Sequence, residues 1–151
     1  MSSLSARVRG MNVWDEEWGE QGEDWSGGGA LQKGFVESGH LLGASLYELD
    51  PGDFVVYHAH HGSEELLIVL RGRPTLRTPD RERQLDEGDV VHFATGPEGA
   101  HGLRNETDAP VRYVMAGIRV SPEVVEYPDR KQVTGQSRHG IFFIHDVEEV
   151  G

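Results

Sequence analysis

GDFVVYHAHHGSEELLIVLRG, residues 52–72, is the stretch on which the reading of the fold turns. It holds two apolar runs separated by a short polar turn, the pattern of a β-hairpin. His58 and His60 end the first run, two residues apart. In a strand such residues point to the same face, so two imidazoles are expected side by side. A carboxylate, Glu64 or Glu65, follows the turn and opens the second run. Two imidazoles and a carboxylate at one spot suit a borderline divalent metal such as Zn, Mn, Fe or Ni. Downstream, GDVVHFATGPEGAHGLRN (residues 88–105) offers His101 at the start of another short strand, where it could close the site.

These residues carry a resemblance. Gly52, His58, His60, Glu65 and Gly72 match every fixed position of the first cupin motif, G-x5-H-x-H-x4-E-x6-G. Gly88, Gly96, His101 and Asn105 resemble the second, G-x5-P-x-G-x2-H-x3-N. The second match departs twice: Ala94 stands where the family usually has proline, and Gly96 is four residues from His101 instead of two. The resemblance implies an all-β cupin barrel, a double-stranded β-helix or jelly roll, in a single domain. It also implies a metal site of His58, His60, Glu65 and His101, with Glu65 and not Glu64 as the carboxylate. Among cupins, dioxygenases, decarboxylases, isomerases and epimerases all occur. LGASLYELDPG, RPTLRTPD and SPEVVEYPD are similar to stretches of a group of small bacterial cupins with no settled activity, which says little about substrate.

Working outward, Leu41–Leu49 alternates and ends in a Pro-Gly turn. Glu65–Leu70 is apolar on both faces, so both are expected to be covered, the inner by the core and the outer by the N-terminal segment or a dimer partner. Thr75–Thr78 and Arg83–Leu85 are read as a hairpin about Pro79-Asp80, and Val90–Phe93 and Val111–Val120 as further strands. Short strands at this spacing indicate a sandwich or barrel. The expected division is an N-terminal arm at 1–35, the barrel at 36–120 and a C-terminal extension at 121–151. In the arm, Trp14, Trp18 and Trp25 are the only large apolar groups, and docking of one or more on the barrel or a partner is expected.

Parity along the strands nominates a pocket wall: Phe54 and Val56 with His58 and His60, Leu67 and Val69 with Glu65, then Phe93, Tyr113 and Met115. Each also reads as ordinary core. His61 and His92 are expected to face away from the site. Arg71, Arg73 and Arg77 could hold an anion near the mouth, or form a solvated charged edge.

The chain has 151 residues, no cysteine and a formal net charge of −12. One domain with a real core is expected, without disulfides or thiolate metal sites. The acidity argues against nucleic acid as a partner, and no run has the length of a membrane span. A cytoplasmic homodimer acting on a small molecule through one divalent metal ion is the resulting expectation, either as an enzyme of oxygenase or isomerase/decarboxylase type or as a non-catalytic binding or sensing module.

Overall fold

The computed structural model describes residues 2–5, 8–24, 26–137 and 139–148. Trp25 lies outside them. The first strands, β1 (Ser2–Ser5) and β2 (Val8–Gly10), form a small hairpin. The body is built from β3 (Leu31–Gly34), β4 (Leu42–Leu49), β5 (Phe54–His60), β6 (Glu65–Arg71), β7 (Thr75–Arg77), β8 (Glu82–Gln84), β9 (Val90–Phe93), β10 (His101–Arg104) and β11 (Val111–Ile118). The chain ends in β12 (Glu123–Tyr127), β13 (Gln132–Ser137) and β14 (Gly140–Asp146). Their order is β14-β13-β12-β5-β10-β7-β8 in one sheet and β3-β4-β11-β6-β9 in the other, and every pairing of these strands is antiparallel. This is the double-stranded β-helix expected from the motifs.

The two sheets close on a core in which Leu49, Leu67, Val69, Leu76, Leu85, Phe93, Leu103, Val111 and Tyr113 are buried. Alternation explains it: Leu67 and Val69 point inward from β6, while Leu66 on the opposite face remains 37% exposed. The doubly apolar β6 is therefore only partly covered on its outside.

The N-terminal arm covers one end of that outer face. Arg112 on β11 is fully buried there. Its Nη1 donates to the carbonyls of Val13 (2.8 Å) and Asp15 (3.1 Å), and its Nη2 to Glu48 Oε1 at 3.2 Å. The Trp18 ring lies 5.0 Å from the Arg112 guanidinium, and the Trp14 ring 4.9 Å from that of Arg71. A buried cation is costly unless its donors are satisfied, and the arm's carbonyls with Glu48 satisfy this one.

At the other end of the chain, β12 pairs directly with β5, with Val125 opposite His60. The C-terminal strands thereby extend the sheet that carries the histidines. Gly72 ends β6 at φ 84°, and a Cβ there would stand 2.9 Å from Val111 Cγ2, so glycine alone permits this turn. Asn105 is buried; its Nδ2 donates to the carbonyls of Leu49 (2.9 Å) and Ala109 (2.8 Å). Its motif position is thus one of turn closure. Among the described residues no helix is long and apolar enough to cross a membrane.

Candidate metal centre

Three strand ends meet at the site. His58 and His60 lie at the end of β5, Glu65 at the start of β6 and His101 at the start of β10. Cross-strand pairing puts His101 directly opposite His58, and their ring centroids are 4.6 Å apart. Glu65 Oε1 lies 3.0 Å from His60 Nε2, 3.1 Å from His101 Nε2 and 4.0 Å from His58 Nε2. His58, His60 and Glu65 offer ligand atoms all within 4.8 Å of one another and could hold a divalent ion.

The imidazoles are oriented from behind. His58 Nδ1 donates to the Val56 carbonyl at 2.7 Å and His101 Nδ1 to the Gly99 carbonyl at 2.8 Å. A carbonyl only accepts, so each Nδ1 carries a hydrogen and Nε2 is the atom turned toward Glu65. The Gly99 carbonyl is a product of the longer second motif: Pro97–Gly99 forms a 3-10 turn, anchored where Gly96 N–H donates to the His60 carbonyl at 2.7 Å. The Phe93 ring stacks on His101 at 3.7 Å, fixing its plane.

His60 is held differently. Its Nδ1 lies 3.2 Å from Glu123 Oε1, so it stands between two carboxylates. Burial opposes its charge, but Glu123 and Glu65 prevail and raise its pKa to about 10. Burial pushes His58 the other way, with His101 and His60 adding to the effect, to about 3. Burial would raise Glu65, but contact with His101 and His60 holds it well below the usual carboxylate range. An ionised Glu65 and a neutral His58 offer donor atoms to a cation, and His60 joins them on giving up its proton.

Glu65 Oε1 and His101 Nε2 are both buried, and neither has a hydrogen-bond partner among the described residues despite their 3.1 Å separation. The two atoms stand at contact distance without forming a hydrogen bond, so neither satisfies the other. Orphaned buried polar atoms carry a desolvation cost, and a bound cation would relieve it. The residues fit a divalent metal on this ground.

Beside the donors opens a cleft of about 320 Å3, lined by Tyr47, Met115, Gln32, Ser45, Ser63, Gln136 and others, together with His60, Glu65 and Glu123. The Tyr47 ring stacks on Tyr113 at 5.1 Å. Burial and the nearby Glu65 push the Tyr47 phenol up to about 12, so it remains a hydrogen-bond donor at neutral pH.

The nominated wall residues divide. Met115 lines the cleft, whereas Leu67, Val69, Tyr113 and Phe93 belong to the packed core, Phe93 beneath His101. Phe54 and Val56 do not share the cleft. The pairing of β5 with β10 shifts register between His58–His101 and Val55–Leu103, where Val56 and Tyr57 on one strand stand against Gly102 alone on the other. This bulge reverses parity, so Val55 packs on the core and Phe54 is 38% exposed. Arg71 lies against Trp14, Arg73 pairs with Asp86 and Arg77 with Asp129, and none of the three lines the cleft. His61 and His92 face outward, toward Glu126 and Glu64. Sequence reasoning passed over Tyr47 and Glu123. Tyr47 was accessible through the alternation of LLGASLYELD, while Glu123 lies in a polar tail with no periodic signal.

Residues 45–117 match the family model of the cupin domain. No curated protein matches the chain by sequence. Among solved structures, a cupin-superfamily sugar phosphate isomerase from Silicibacter pomeroyi is 27% identical, with TM-score 0.66 over 71% of this chain and 68% of that one. A sugar phosphate isomerase candidate from Acidithiobacillus ferrooxidans is 23% identical, with TM-score 0.71 over 81% of each chain. The polyketide cyclase RemF from Streptomyces resistomycificus shares the fold at 18% identity and TM-score 0.55, over 62% of this chain and 68% of that one. Motif spacing and strand order agree with the family match: residues 45–117 of this chain are a cupin domain.

Proposed function

We propose that this protein is a metal-dependent enzyme of isomerase type acting on a small polar molecule, with one divalent ion held by His58, His60, Glu65 and His101. The observation that carries the metal reading is the clustering of the orphaned Glu65 Oε1 and His101 Nε2 beside His58 and His60. His58, His60, Glu65 and His101 would hold the ion, and it would supply Lewis-acid polarisation of a substrate carbonyl oxygen.

The chain's own residues serve the ligand around that point. Gln32, Ser45, Ser63 and Gln136 give the cleft polar groups suited to hydroxyls. The Tyr47 phenol, protonated at neutral pH, lines the cleft and would donate to a ligand oxygen there. The isomerase class within the wider cupin range is favoured by the 27% likeness to the Silicibacter pomeroyi enzyme.

Metal titration into chelator-treated protein tests the first part, and about one divalent ion per chain is expected. The second part is tested by incubating the loaded protein with a panel of phosphorylated aldoses and ketoses and following interconversion by NMR. A compound that raises Tm yet is never consumed favours the alternative, a non-catalytic small-molecule binding cupin. We further propose a homodimer, because Leu42, Leu66, Val90 and Ile118 remain exposed on neighbouring strands of the five-stranded sheet. Light scattering at micromolar concentration is expected to give twice the chain mass of 16.7 kDa.

A further inference from the structure

We infer that Glu123, supplied by the C-terminal strand β12, is a positioning residue of the metal centre and acts through His60. The inference rests on the metal reading above. Glu123 is 58 residues downstream of Glu65 and outside both motifs. Its carboxylate is nearly buried, with the side chain 9% exposed, and lies on the far side of the His60 ring from Glu65. Its Oε1 faces His60 Nδ1 at 3.2 Å, while the opposite ring nitrogen faces Glu65 at 3.0 Å.

Three further donors hold the carboxylate in place. Oε1 accepts from Gly62 N (3.2 Å) and Ser63 N (3.0 Å), and Oε2 from Ser63 Oγ (3.1 Å). All three lie in the turn between His60 and Glu65. One side chain thus ties a ligand ring to the turn that sets the distance between two ligands. Backing a ligating imidazole with a carboxylate fixes its tautomer and raises its basicity. With Glu65 it also brings two negative charges to the site, matching a divalent ion. His58 and His101 are backed only by neutral carbonyls, so this function falls to Glu123 alone among the described residues around the three rings.

A matched control lies on the same strand. Glu126 pairs with His61 at 3.1 Å, but that pair is on the surface, with side chains 35% and 42% exposed. If Glu123 were merely a surface-type ion pair or a strand anchor, the two would behave alike.

The experiment titrates Co2+ into chelator-treated full-length protein and reads both affinity and the visible ligand-field spectrum of the loaded site. For Glu123→Gln, an affinity loss of about 10–100-fold and a shifted cobalt spectrum are expected. Glu126→Gln should match the unsubstituted protein in both. Glu123→Asp, which keeps the charge, should recover part of the affinity. A Glu123→Gln protein that binds Co2+ within about twofold of the parent, with an unchanged spectrum, overturns the inference while leaving the metal reading intact. Failure of the parent itself to take up Co2+ or Zn2+ overturns both. Should Glu123→Gln not fold, Glu123→Asp decides: a displaced spectrum supports the role and an identical one overturns it.

Discussion

Glu64 and Glu65 are neighbours in the chain, and each meets histidine, yet they do so in opposite surroundings. Glu64 is 54% exposed and pairs at 2.8 Å with His92, itself 57% exposed. Glu65 is 18% exposed and faces three imidazoles at once. Glu64 immediately precedes β6 and Glu65 opens it with its side chain turned to the opposite face, so a single peptide unit separates a solvated ion pair from a buried donor cluster. In water such a pair contributes about 0–1 kcal/mol. In the barrel the same groups shift one another's protonation and leave lone pairs without partners. Chemical identity does not distinguish the two glutamates; the face they occupy does.

The largest expected effect comes from Glu65→Gln. It removes the charge on which the imidazoles converge, and metal affinity should fall by more than the ~10–100-fold typical of outer-shell changes. Titration of metal into the chelator-treated variant measures it, and near-parental affinity would mean that the β6 register has been misjudged by one residue.

Proton competition comes next. In the metal-free protein His60 titrates at about 10 and His58 at about 3. Near neutral pH a metal ion must displace the proton of His60, so affinity should fall as pH is lowered. Calorimetry in buffers of different ionisation enthalpy should count about one proton released at pH 7. Stability should respond differently in the two forms. The raised pKa of His60 stabilises metal-free protein fully below its ordinary value of 6.5, and this contribution is lost as pH rises toward about 10. Metal-loaded protein, in which His60 has already given up that proton, should hold its stability nearly constant over that range. Parallel Tm profiles for the two forms would contradict the assignment of the proton to His60.

A smaller effect is expected for Phe93→Leu, which keeps the core apolar but removes the ring stacked on His101 at 3.7 Å. It should cost about 1 kcal/mol in denaturant unfolding, with a loss of metal affinity below that of Glu65→Gln. Glu64→Gln should do least, leaving affinity within about twofold and unfolding stability nearly unchanged. A large loss of affinity there would erase the contrast between the two faces.

Much of the centre was legible in the chain because its information is local. The spacing of His58, His60 and Glu65 places them through two strands and one turn, and the alternation of Leu67 and Val69 marks the buried face of β6. The single domain of short strands followed from apolar runs and turn residues for the same reason: side-chain parity and φ restrictions act over a few residues. What depended on distant partners was not legible. The bulge that turns Phe54 outward exists because β5 must align with β10, about 45 residues away. Glu123 reaches His60 only because β12 completes the sheet beside β5. The longer turn before His101 shows its use only when the Gly99 carbonyl meets Nδ1. Because strand geometry repeats every two residues, local spacing alone singled out His58, His60 and Glu65 as a candidate donor set and named the strands that present them. The orientation of each ring and the carboxylate behind His60 came from the packed fold, because those contacts join segments that no local pattern connects.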